Sequence, residues 1–134
     1  MSGRPVPAPG AELDSLRRHF RDPSSDLSVG PGWRSIVLRC HEAVVAEFPE
    51  YELLAVKQKW AALAFQAFPR PRKRGGNWTS DEAHRLDALV AEFVAISKHT
   101  CERCGNAGTL RETRPIELTL CDACESVVGP DGRL

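Results

Sequence analysis

The chain has 134 residues, of which 42% are apolar and 27% charged, and its formal net charge is zero. That composition suits one soluble globular domain, or one domain with a small appendage, and the charge balance excludes a global field drawing it to nucleic acid or an anionic membrane. No apolar run approaches the roughly 20 residues that span a bilayer, and MSGRPVPAPG at the start lacks the apolar stretch of a signal peptide, so no membrane association and a cytoplasmic location are expected.

Residues 1–10 contain three prolines and two glycines and are expected to form a disordered tail. A mainly helical domain is expected over 11–98, followed by a four-cysteine finger over 99–134. The stretch 11–21, AELDSLRRHFR, reads as a short helix with Leu13, Leu16 and Phe20 on one face. Glu12 and Asp14 near its start and Arg17, Arg18 and Arg21 near its end suit the helix dipole, and Asp22-Pro23 stops it. A loop follows over 22–32. A second helix is expected from near Pro31 to Phe48, because Trp33, Ile36, Val37, Cys40, Val44 and Phe48 recur at three- and four-residue spacings and Pro49 ends the run.

YELLAVKQKWAALAFQAF, 51–68, reads two ways. Its alanines and length favour a helix, while Val56, Lys57-Gln58-Lys59, Trp60 and Leu63-Ala64-Phe65 also fit two short strands. PRPRKRGGNW, 69–78, is a loop carrying Arg70, Arg72, Lys73 and Arg74. Thr79 and Glu82 then form a capping box. They open a helix whose buried stripe is Leu86, Leu89, Val90, Phe93 and Val94 and which runs to about Lys98.

CERCGNAGTLRETRPIELTLCDACE, 101–125, places Cys101/Cys104 and Cys121/Cys124 as two C-x-x-C pairs with sixteen residues between them. Each two-residue gap lets both sulfurs of a pair point at one ion, and two pairs complete a tetrahedral zinc site. Gly105 follows the first pair, where a knuckle often needs an unusual backbone angle. Thr109-Leu110 and Ile116–Leu120 read as the strands of a hairpin that brings the pairs together. A redox centre would present one C-x-x-C at a helix start after a strand. A disulfide pairing fits poorly with a reducing cytosol and with a fifth cysteine, Cys40, left over. Iron on the same four ligands is chemically possible. Four thiolates close the coordination sphere, leave no position for a reactive water and make the ion structural.

Residues 101–128 resemble GATA-type fingers of the treble-clef kind, which implies knuckle, hairpin, knuckle and short helix, with the four cysteines as ligands. Those fingers read DNA with the helix after the second pair and a basic tail. Here the matching positions are Glu125-Ser126-Val127-Val128, and residues 101–134 hold four Arg/Lys against six Asp/Glu. The resemblance therefore carries over the fold and the ligands and not DNA reading. Gly32-Trp33, VKQKWAALAF (56–65), CERCG and TLCDAC together resemble a group of uncharacterised bacterial and phage proteins that end in such a finger. In them the middle segment reads roughly K-x-K-aromatic-Gly-Gly-Leu-Arg-Phe, which implies a hairpin over 51–68. Ala61 and Ala62 stand here in place of the glycines and Ala64 in place of the arginine.

Arg70, Arg72, Lys73 and Arg74 with Trp78 could grip phosphates and stack on a base; the plainer reading is a solvated connector with Trp78 packed on the start of the helix. His99 precedes Cys101 by two residues and is weighed as a ligand or second-layer donor, although four cysteines already suffice. Cys40 falls on an apolar helix face and is read as core. His41 beside it points elsewhere, so no Cys–His nucleophile pair forms locally. His19 and His84 are expected on the surface. No phosphate loop, G-x-S-x-G or H-E-x-x-H occurs, and no histidine lies beyond His99 to build an HNH-type nuclease. The sequence thus points to an α+β protein with a helical N-terminal part, a helix or hairpin in the middle, a capped amphipathic helix and a C-terminal treble-clef or zinc-ribbon finger holding one structural Zn2+. The function expected is a non-catalytic binding or adaptor module for a protein partner. The alternative is a nucleic-acid-binding regulator that uses the loop 70–74.

Overall fold

The spacing of Leu13, Leu16 and Phe20 turns the first segment onto the core: all three are buried, Leu13 just before α1 (Asp14–Arg17), Leu16 on it and Phe20 in the turn after it. This is seen in a computed structural model that describes residues 13–25, 27–73 and 76–134. The expected tail at 1–10, residues 11 and 12 and Arg74 lie outside the described residues.

The chain continues through β1 (Leu27–Ser28) and a single 3-10 turn at Pro31–Trp33 into α2 (Arg34–Glu47). Proline suits that first turn because its missing N–H has no partner to lose there. Trp33, Ile36, Val37, Cys40 and Val44 form the buried face.

Residues 51–68 are a hairpin. β2 (Glu52–Lys59) and β3 (Ala62–Phe68) pair antiparallel, with Val56 opposite Phe65 and Gln58 opposite Leu63. The period-two pattern decides it: Val56, Leu63 and Phe65 bury against the helices, while Lys59 and Gln66 face out. A bulge between Leu53 and Ala55 shifts the register, so Leu53, opposite Ala67, reaches the same buried face as Val56. Trp60 and Ala61 close the hairpin with φ of 54° and 60°, the left-handed pair that a type I′ loop requires.

β1 pairs parallel with β2, and Phe20 bridges Leu53 on the same side, giving the order β1-β2-β3 with β3 at the edge. α3 (Ser80–Ser97) packs against β3 and α2. Its capping box is formed: Thr79 Oγ1 accepts from the Glu82 N–H at 3.1 Å, and Glu82 Oε1 accepts from the Thr79 N–H at 3.0 Å. The stretch 11–98 thus carries α1 to α3 together with a three-stranded sheet. Among the described residues, no helix is long and apolar enough to cross a membrane.

After α3 come the first knuckle, β4 (Thr109–Arg111), β5 (Leu118–Leu120) and α4 (Asp122–Glu125). β4 and β5 pair antiparallel, with Leu110 opposite Thr119. This module is bonded to the body. Trp33 Nε1 donates to the Thr100 carbonyl at 2.8 Å, Gln58 Nε2 to the Glu117 carbonyl at 2.7 Å, and Thr119 Oγ1 to the Ala61 carbonyl at 2.9 Å.

Candidate metal centre

Each C-x-x-C pair sits on a turn made by its own backbone. The Cys101 N–H donates to the Asn106 carbonyl at 2.7 Å, and the Gly105 N–H returns to the Cys101 carbonyl at 3.0 Å. Gly105 has φ of +84°, which a side chain would strain. In the second pair, Cys121 caps α4, and its Sγ accepts from the Cys124 N–H at 3.4 Å. The β4–β5 hairpin folds one turn back on the other, and the Glu102 N–H donates to the Thr119 carbonyl at 2.8 Å.

The four sulfurs of Cys101, Cys104, Cys121 and Cys124 lie within 4.8 Å of one another. Cys104 Sγ and Cys121 Sγ are 3.7 Å apart. A tetrahedron with metal–sulfur bonds of about 2.3 Å has sulfur–sulfur edges of about 3.8 Å, whereas a disulfide bond is about 2.0 Å. All four cysteines are free thiols. Cys101 and Cys124 are buried and Cys104 is exposed, so the centre lies at the rim of the module.

The electrostatics fit a cation. Burial pushes the Cys101 thiol up, but backbone N–H groups at Cys121, Cys104 and Arg103 outweigh it and bring the thiol down to about 6. Arg103 Nη1 donates to Cys124 Sγ at 3.5 Å and pulls that thiol down, yet burial and the three neighbouring thiols push it up to about 11. Thiols this close titrate as one coupled group. The cluster is positioned to bind a metal ion, and the donor set matches the soft thiolate preference of zinc and iron.

The loop before α2 braces the first knuckle. The Gly32 N–H donates to the Glu102 carbonyl at 2.8 Å. Glu102 is itself buried, and its Oε2 accepts from the Thr119 N–H at 2.7 Å. Burial, opposed by bonds from Thr119 and Gln58, pushes this carboxyl up to about 7.

The remaining sequence candidates fall elsewhere. His99 is exposed, and the metal-ligating cluster does not include it. Arg70 is held by Glu82 and by the Asn77 carbonyl, and Trp78 stacks on Phe68 with ring centroids 5.4 Å apart. Arg72 and Lys73 are exposed. Of the four described groups weighed for phosphate and base contact, Arg70 and Trp78 thus pack within the fold. Cys40 is fully buried, and burial pushes its thiol up to about 12.

His19 corrects the surface expectation. It is 8% exposed, stacked on Tyr51 at 4.2 Å, and its Nδ1–H donates to the Tyr51 carbonyl at 2.8 Å. His41 Nδ1 lies 2.6 Å from the Tyr51 hydroxyl. α1 ends at Arg17, so the chain turns there and carries His19 inward. No short-range pattern signals that. His84 is exposed as expected.

Fold and site define an α+β protein with a four-cysteine candidate metal centre bonded to a sheet-and-helix body. No family model, curated protein or solved structure matches the chain.

Proposed function

We propose that the centre holds one structural Zn2+ and that the protein is a non-catalytic, cytoplasmic binding module for a protein partner. The convergence of four thiols on one point carries this reading. Four sulfur ligands fill a tetrahedral ion, so the chemistry supplied is cross-linking of two turns and not activation of water. The order of knuckle, hairpin, knuckle and short helix supports the likeness to treble-clef fingers. The role of the metal is to complete a module too small for a core of its own, whose buried cluster is Leu118, Leu120 and Val128 with the cysteines.

Trp60 supports the partner reading. It is 77% exposed at the hairpin tip, in a left-handed conformation unfavourable to a bulky residue. Neither exposure nor strain helps the fold, and exposed tryptophans on strained turns suit a contact surface. Leu110, Ile116 and Val127 add exposed apolar groups on the module, whose net charge is negative. Such a surface fits protein better than nucleic acid.

The test compares affinity capture by the wild-type and Trp60→Ala proteins, matched for circular dichroism and metal content. The expected result is a protein retained by the wild type and lost or strongly reduced with the variant. Equal retention by both proteins, or nucleic acid as the retained species, contradicts the partner reading.

A further inference from the structure

β3 is the edge of its sheet, and its edge is open over two residues. A two-residue loop makes Lys59 and Ala62 a hydrogen-bonded pair, and alternation does the same for Lys57 with Ala64. The peptide groups of Leu63, Phe65 and Ala67 therefore point away from β2. At Leu63 the N–H is taken by Ser97 Oγ at 3.0 Å. At Phe65 and Ala67 no hydrogen bond from the described residues takes the outward groups.

Alongside this edge runs a groove of about 650 Å3, walled by β3 and by one face of α3. The α3 wall consists of Asp87, Val90, Ala91, Val94, Ala95 and Lys98. These six positions are self-complementary when the helix meets an antiparallel copy of itself. Asp87 then faces Lys98 of the copy, Val90 faces its Ala95, and Ala91 faces its Val94. Acid meets base at both ends, and a large side chain meets a small one in the middle. Asp87 and Lys98 are exposed, and neither is in an ion pair among the described residues.

The strand obeys the same symmetry. In an antiparallel pairing of two β3 edges centred on Gln66, Phe65 meets Ala67 of the copy and Ala67 meets its Phe65, so the two open peptides satisfy each other. The two centres also coincide approximately. Ser97 marks the level of Leu63, and the three residues to Gln66 advance about 10 Å along the strand. About seven residues back along α3 cover the same length and reach Val90, within about 4 Å of the helix pairing's own centre between Ala91 and Val94.

We infer that this groove is a homodimer interface: a second copy of the chain docks antiparallel, joining two three-stranded sheets edge to edge and pairing α3 with α3. The interface covers an open strand edge that otherwise invites non-specific pairing. It is isologous, as a two-fold dimer requires. It uses neither the cysteine cluster nor Trp60, so it stands or falls separately from the binding function proposed above.

The test is analytical ultracentrifugation of the full metal-loaded chain with charge-swapped variants. The wild type sediments as a dimer in a concentration-dependent equilibrium. Asp87→Lys or Lys98→Asp places like charges together at both ends of the interface and weakens dimerisation about tenfold or more. The double variant Asp87→Lys/Lys98→Asp restores opposite charges and returns the dissociation constant to near the wild-type value. A general structural fault would not be repaired that way. Val94→Glu, matched to the wild type by circular dichroism, is monomeric. A wild type that stays monomeric at 100-fold the concentration used in routine assays overturns the inference, whatever else enters the groove. So does a dimer that ignores the swaps.

Discussion

The α-carbon of Gly32 lies against the first knuckle, so a β-carbon built on it would stand 2.1 Å from the carbonyl oxygen of Cys101. That oxygen is backbone, already bonded to the Gly105 N–H at 3.0 Å, and cannot move aside without opening the turn. The α2 entrance and the cysteine module therefore fit each other only with glycine at this position. Gly32→Ala is expected to cost about 1–3 kcal/mol, the usual range for overpacking, and to loosen metal binding along with the fold. Urea unfolding of the metal-loaded protein checks the first effect and competition with a chelator the second. Wild-type values in both would show that the loop does not brace the knuckle.

At the hairpin tip, Trp60→Asn should act the opposite way. Asparagine tolerates the left-handed conformation that Trp60 holds at φ 54°, and Trp60 has little packing to lose. A gain of about 0.5–1 kcal/mol is expected in thermal or urea unfolding. If Trp60 is the partner contact, the same variant is more stable and captures less.

This tip also explains why residues 51–68 were legible only as a choice. A type I′ loop is ordinarily announced by Asn-Gly or Asp-Gly, and Trp60-Ala61 carries no such signal. Ala55, Ala62, Ala64 and Ala67 dilute the alternation that would have marked strands. The zinc-type spacing of the four cysteines, the capping box and the Trp33-to-Phe48 stripe were readable because each is a fixed offset along the chain. The two-residue strand β1, the packing of His19 on Tyr51 and the approach of Gly32 to Cys101 were not. Each joins residues more than 25 positions apart, and nothing local encodes the partner. Gly30 and Gly32 were the one available signal. They read as a loop, and their use is close approach to the Glu102 and Cys101 backbone.

The α3 start gives a pH dependence with a definite sign. The bond from Arg70 first, and then that from the Thr79 N–H, holds the Glu82 carboxyl down at about 2, against an ordinary value of 4.5. A carboxyl depressed in the folded state contributes stability that is fully present above its unfolded value and is lost as pH falls toward the folded one. Thermal unfolding of the wild type and of Glu82→Gln should therefore differ above about pH 5. The difference should shrink between pH 4.5 and 2. Loss of metal in acid affects both proteins alike and cancels in the comparison. A difference independent of pH would contradict a contribution from the ionised carboxylate, and no difference at any pH would leave the capping to Thr79.

The five cysteines should react in order. In the native metal-loaded protein a thiol reagent finds them slow. After chelation the four clustered thiols react, while Cys40, fully buried with its thiol up at about 12, waits for denaturant. Early modification of Cys40 would mean that the helical body opens when the metal leaves, which contradicts its separate core.

Elemental analysis of freshly purified, unchelated protein, with thiol counting on the same sample, decides whether the four sulfurs share an ion. One zinc per chain is expected, with Cys101, Cys104, Cys121 and Cys124 reduced and released together by chelator. Finding no bound transition metal, or finding those sulfurs joined to each other as disulfides, contradicts the structural role assigned to the centre.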